Sequence, residues 1–253
     1  MIAALSSEWL KLRTTRTLFW LLVALSALMT LIVVAGVIGS QKHSISSAKD
    51  QLDLLGIGSL GIFIALIMGL IVSTGEFRHG TITPTLLATP SRTSIVIAKA
   101  LAGMFFAVAL VGLAEGLVAL ELAIALPAKG VDFAIQGGPA AGFIGRMLIA
   151  AALWGALGSG IGIVLRNQIG AVVASFAWLF IAEGLIIAIL HSHAINSNAG
   201  RFFPFQATGA ILSSGTRNPA DLLSHAGGMA ALGGWMALFT IAAVVLLSRR
   251  DVS

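Results

Sequence analysis

The sequence predicts an all-α integral membrane protein with six transmembrane helices, and three observations carry that prediction. Charged residues are only 10% of the 253 and hydrophobic ones 58%, whereas a soluble chain carries about 25% charged residues. Mean hydropathy is +1.01. Six separate runs are long enough to cross ~30 Å of hydrocarbon at ~1.5 Å of helical rise per residue. They cover residues 18–38, 54–74, 100–120, 147–165, 169–190 and 229–248, and only the third and fifth hold a charged residue, Glu115 and Glu183. Six such runs leave no polar shell to cover them in water.

The composition excludes an ordinary soluble enzyme, a disordered tail and a nucleic-acid module. The net charge is +5, but long uncharged runs separate the Lys and Arg residues, which is not a nucleic-acid footprint. With no cysteine, disulfide frameworks, iron–sulfur clusters and thiolate zinc sites are excluded as well.

Taken in order, residues 1–17 read as an amphipathic interfacial helix. Leu5, Trp9 and Leu12 recur at i, i+4 and i+7, while Glu8, Lys11 and Arg13 face elsewhere; the alternative is a plain charged flank to the first span. Residues 18–253 then form a single six-span unit. The first span exceeds the ~7–15 residues of a signal-peptide core, so it is expected to remain as a helix. The loop at residues 41–53 is short and of mixed charge, and Arg166, Asn167 and Gln168 form a tight hairpin. The stretch 191–228 contains Phe202, Phe203, Pro204, Phe205, Ile211 and Leu212. It reads as a re-entrant outer hairpin packed on the bundle, or else as a surface loop with an aromatic interfacial anchor. Nine basic residues fall on the side of the N-terminus and six on the other. By the positive-inside rule, that places both termini in the cytoplasm of a multi-pass protein of the plasma or inner membrane.

Three acidic residues fall in or beside spans. A charge at mid-bilayer costs ~2.5–3.5 kcal/mol on insertion scales, so Glu115, Glu121 and Glu183 must face the bundle or water, or carry a proton. Glu115 and Glu183 lie in the outer halves of parallel spans and are candidates for one outward-facing transport path; hydrogen bonding across helix interfaces is the alternative. Gly112 and Gly116, and Gly158 and Gly162 with Gly155 and Gly160 nearby, offer small-residue faces that join either two protomers or the spans of one chain.

The most polar stretch on the cytoplasmic side is residues 75–99, GEFRHGTITPTLLATPSRTSIVIAK. Thr83 can cap and Pro84 can open a short helix that Pro90 stops, so a helix from Pro84 to Ala88 is expected. Leu86 and Leu87 would then form an apolar knob ringed by charge, suited to docking into a soluble partner.

On these residues the chain resembles the permease subunits of ATP-binding-cassette exporters of the second type, ABC-2. Glu76, Arg78, Gly80 and Thr81 match the family's acidic, basic, Gly-Thr pattern after the second span, and Pro90, Ser91, Arg92 and Lys99 match its continuation into the third. The N-terminal amphipathic helix and the six spans extend the likeness over nearly the whole chain. The resemblance implies that the loop with Glu76, Arg78, Gly80, Thr81, Leu86, Leu87 and Arg92 is a coupling helix seated in a separate ATPase subunit. It implies that the helix with Leu5, Trp9 and Leu12 is a connecting helix that also touches that ATPase. A second permease chain, identical or different, would complete the membrane path for outward transport of a hydrophobic or amphipathic solute such as an antibiotic, peptide or lipid.

No phosphate-binding loop GxxxxGK[ST] occurs, so no cofactor is expected on this chain, and ATP and Mg would bind the partner ATPase. Neither HExxH nor GxSxG is present, and no enzyme activity is expected. His191 and His193 straddle Ser192 without a third ligand, so no metal site is expected. Two rivals remain. An ion-coupled secondary transporter would use Glu115 or Glu183 as its proton carrier, although no internal repeat supports the inverted-repeat architecture. A lipid-acting intramembrane enzyme would have to rely on Asp221 and His225, which no nucleophile motif accompanies.

Overall fold

A computed structural model describes residues 17–88, 91–135, 137–192, 198–213 and 223–249. Among them every regular element is helical, and six helices are long and apolar enough to cross a membrane. The architecture is that of a multi-pass membrane protein. Apart from Thr17, the predicted amphipathic segment at residues 1–17 lies outside the described residues, as do Pro90, His193 and Asp221.

The spans are α1 (Thr17–Gly39), α3 (Gly61–Arg78), α5 (Arg92–Ala128), α6 (Gly138–Leu165), the pair α7 (Gln168–Ala177) and α8 (Glu183–Ser192), and α10 (His225–Arg249). Between α7 and α8 the helix continues through a π turn, Trp178–Ala182, closed by the Glu183 N–H on the Trp178 carbonyl. Three shorter helices connect the spans: α2 (Ala48–Leu55), α4 (Ile82–Ala88) and α9 (Pro204–Leu212).

The span boundaries shift from those expected, each for a local reason. The second span starts at Gly61, not Leu54. Ser47 accepts from the Asp50 N–H at 3.1 Å while the Asp50 carboxylate accepts from the Ser47 N–H at 3.4 Å. This capping box starts α2 upstream, so Leu54 and Leu55 finish α2 and a 3-10 turn, Gly56–Leu60, intervenes. The third span is a 37-residue helix that begins early because Ser91 caps it, accepting from the Ser94 N–H at 3.3 Å. The fourth begins at Gly138, with Pro139 in the first turn, where its missing N–H has no helical acceptor to lose.

Spans α3, α5 and α6 form the centre of the bundle and pack on one another. The apolar windows of these three are 61, 56 and 61% buried, against 22, 17 and 17% for α1, α7–α8 and α10. The reason is the absence of side chains at the crossings. A Cβ on Gly69 would lie 2.7 Å from the Ser159 backbone nitrogen, one on Gly103 2.7 Å from the Gly155 carbonyl oxygen, and one on Gly155 2.8 Å from the Ala107 Cβ. One on Gly158 would strike the Leu66 carbonyl, and one on Gly162 would strike Ser73. In hydrocarbon, where apolar side chains gain little by leaving lipid, such backbone-to-backbone approach supplies the dispersion contacts that hold helices together. Ser159 completes the crossing. Its hydroxyl oxygen lies 3.2, 3.1 and 3.1 Å from the carbonyls of Gly69, Lys99 and Gly155, one on each of the three helices.

The bundle has two ends, one carrying α4 and the other α2. At the α2 end the fully buried Gln51 donates to the carbonyls of Ile45 (3.1 Å) and Asp132 (2.8 Å) and accepts from the Ala134 N–H at 2.8 Å. The Lys129 ammonium donates to the Val37, Ile38 and Ser40 carbonyls at the end of α1, where free carbonyls and the helix dipole favour a cation. The loop at residues 41–53 is thus an organised brace. Within 191–228, α9 packs on α6 and α10, and Arg146 Nε donates to the Ile211 carbonyl at 2.9 Å. The described part of that stretch includes a 3-10 turn, Ala199–Phe202, and the bundle-packed α9, with Phe202 and Phe205 exposed.

The glycine contacts give a direct test of stability. Gly155→Ala and Gly158→Ala should each destabilise the folded protein in detergent by about 1–3 kcal/mol or more through overpacking. Gly116→Ala, with nothing within 4 Å of its Cβ position, should be neutral or stabilising by up to ~1 kcal/mol from helix propensity. Denaturant titration of the three variants reads the difference.

Candidate functional site

The α4 end is built from the polar stretch between α3 and α5. Gly80, at φ +67°, takes the left-handed conformation that ends α3, after which the Thr81 N–H donates to the Glu76 carbonyl at 2.9 Å. The short helix that follows begins at Ile82, two residues before the expected Pro84. Thr83 therefore lies inside the helix and not at the position before it, and Pro84 sits in the first turn, where its lack of an N–H is harmless. Leu87 is 80% exposed, but Leu86 is half-buried. The exposed apolar knob is thus Leu87, without Leu86.

Glu76 anchors this helix from below. It is buried, with its Oε2 3.0 Å from the Lys99 ammonium, and Lys99 is buried too. Thr85 Oγ1, on α4, donates to Glu76 Oε1 at 2.9 Å, and the Lys99 ammonium also donates to the Val72 carbonyl at 3.3 Å. One carboxylate thereby links α3, α4 and α5. Lys99 and Thr85 are the partners that sequence reasoning did not pair with Glu76. The available signal was a lone acid and a lone lysine at the facing ends of consecutive antiparallel spans.

The neighbouring arginines tie the helix ends together. Arg78 Nη1 donates to Gln168 Oε1 at 3.2 Å, joining the end of α3 to the start of α7. Arg92 donates to the Leu247 carbonyl near the end of α10. Arg166 ends α6 in the left-handed conformation at φ 55° and lays its guanidinium 5.6 Å from the Phe77 ring centroid. The α4 end of the bundle therefore carries Arg78, Arg92, Arg166 and Arg249 as well as the exposed Leu87.

The intramembrane acids occupy unlike settings. The Glu183 carboxylate accepts from the backbone N–H groups of Phe205 (3.0 Å) and Gln206 (3.0 Å). It caps the first turn of α9, where free N–H groups and the positive helix end favour it. Glu121 accepts from Thr30 Oγ1 across the α1–α5 contact. Glu115 is fully buried on α5, and neither of its oxygens has a hydrogen-bond partner among the described residues. Neither Glu115 nor Glu183 is among the residues that line the cavities described below.

Two cavities are substantial. One, of about 380 Å³, opens at the α2 end, where Asp53, Phe63, Phe143, Phe205 and Gln206 contribute to its wall. The other, of about 270 Å³, is apolar and lies between α3, α6, α7 and α10 below the π turn. Among the described residues no group of three or more His, Asp or Glu is placed to hold a metal ion.

Compared with protein families and with curated proteins, the chain matches no family model and no curated protein.

The Glu76–Lys99 pair makes a quantitative prediction. Removing one partner of a buried pair leaves an uncompensated charge, so Lys99→Met alone should cost about 3–5 kcal/mol of stability. The double variant Glu76→Leu/Lys99→Met should recover most of that loss in denaturant titration, because no lone charge then remains.

Proposed function

We propose that the chain is the permease subunit of an ATP-binding-cassette exporter of the ABC-2 kind. It would provide the membrane path by which a hydrophobic or amphipathic solute moves outward, with ATP hydrolysed by a separate ATPase. The observation that carries this reading is α4. It is a seven-residue helix at one end of the bundle, tethered from beneath through Thr85, Glu76 and Lys99, and it presents a leucine that is 80% exposed. An exposed apolar side chain on a braced short helix suits a cleft in a soluble partner. Because Glu76 also joins α3 to α5, a push on α4 would be delivered to the two central helices. A partner chain of the same kind, alike or different, would complete the path, with both termini on the ATPase side.

The reading is tested at Leu87. Leu87→Glu should abolish stimulation of the partner ATPase in reconstituted vesicles while the permease still folds and inserts. Leu86→Glu should instead lower stability, since that side chain is half-buried. Normal ATPase stimulation by Leu87→Glu would remove α4 from the coupling role.

One observation favours a second reading, an ion-coupled secondary transporter: the buried Glu115, whose oxygens have no hydrogen-bond partner among the described residues. In that case transport would persist without an ATPase, and Glu115→Gln would uncouple it from the proton gradient. For the exporter, Glu115→Gln leaves ATP-driven transport in place.

A further inference from the structure

The apolar cavity below the π turn has no role in the coupling of α4, and its walls state what can fill it. Leu66, Trp154, Leu157, Trp178, Trp235 and Phe239 enclose it with other aliphatic side chains, and its volume is about 270 Å³. The Ser175 hydroxyl on its wall is buried and has no hydrogen-bond partner among the described residues. A water molecule needs two to four polar partners to be stable in such a place, and one hydroxyl does not supply them. Vacancy is also unfavourable, because wall atoms that face a void lose their dispersion contacts.

The way in is lateral. Leu165 and Ala174 line the cavity and are exposed, and next to lining residues in the chain the apolar side chains of Val173, on α7, and Leu238, on α10, are exposed as well. At its upper limit the Trp178 and Trp235 rings meet at 6.2 Å, and Trp235 Nε1 donates to the Phe202 carbonyl at 2.8 Å. These rings roof the cavity toward the α2 end. What lies outside the rim in a six-span protein is hydrocarbon.

We infer that this cavity is a binding site for one acyl chain of a membrane phospholipid, which enters between α7 and α10 and ends beneath the Trp178–Trp235 roof. The site requires an uncharged, flexible alkyl chain. Its occupation does not depend on whether the chain is an exporter.

Photolabelling of the unmodified full-length protein tests this in vesicles of phosphatidylcholine bearing a diazirine on the acyl chain, with the labelled positions mapped by mass spectrometry. Trp154 and Leu157 are each 2% exposed, so lipid around the outside of the bundle does not reach them. Labelling of Trp154 and Leu157 in addition to outward residues such as Ile149, Phe180 and Leu238 is the expected result. A bulky plug at the rim, Ala174→Phe or alternatively Val164→Phe, should abolish labelling at Trp154 and Leu157 and leave Leu238 labelled as before. Labels confined to the outward residues would overturn the proposal. So would labelling of Trp154 that persists in a folded plug variant, or crosslinking of these cavity residues to a second copy of the chain in place of lipid.

Discussion

The fold rests on a steric condition: three spanning helices approach until backbone meets backbone, and that approach is available only where glycine omits the Cβ. Gly69 on α3, Gly103 on α5, and Gly155 and Gly158 on α6 meet this condition together, while Gly162 makes room for the Ser73 side chain. In water a bundle can be held by hiding leucines, but lipid is as apolar as leucine, so closeness must supply the attraction. The Ser159 oxygen, within reach of a carbonyl on each of the three helices, adds direction to a contact that dispersion alone leaves free to slide. Around this trio α1, α7–α8 and α10 are mostly outward-facing, which is why Phe19, Trp20, Phe180 and Ile241 are each exposed by more than half.

The same trio explains why a buried ion pair sits where it does. Lys99 lies one helical turn before Gly103 on α5, so the close approach that brings α5 to α6 also buries the lysine. An ammonium taken out of water needs a partner, and Glu76, near the end of α3, is the acid within reach at 3.0 Å. Thr85 then uses the remaining carboxylate oxygen to hold α4. A tight helix crossing, a charge pair and a surface helix are therefore one connected arrangement, and α4 does not stand as an independent loop.

Much of this was legible in residues alone, and the rest was hidden for identifiable reasons. Span number came directly from long apolar runs, because crossing hydrocarbon imposes a length that no short-range preference can disguise. Boundaries were less legible: the apolar run at Leu54 continues across the end of α2 into α3, and hydropathy cannot register the capping box at Ser47 and Asp50 that divides them. The glycine pairs on α6 were visible, but their partners on α3 and α5 depend on helix rotation, which the chain's uniform apolarity conceals. Glu115 and Glu183 looked alike as single acids in apolar helices. They differ because Glu183 stands opposite the start of α9, a segment whose placement follows from tertiary packing. Leu86 and Leu87 likewise separate only once the helix is known to begin at Ile82, which turns Leu86 toward the bundle.

Helix α5 has a consequence that follows from length alone. Its 37 residues extend about 55 Å at the helical rise, well beyond ~30 Å of hydrocarbon. Its only proline, Pro127, is in the last turn. One unbroken hydrogen-bonded rod thus emerges from the hydrophobic layer, beginning beside α4 and finishing at Lys129, which grips the end of α1. A rod of this kind has no break between its ends, so a single element joins the α4 end of the bundle to the α2 end, with Arg92 held to α10 at one tip and Lys129 held to α1 at the other.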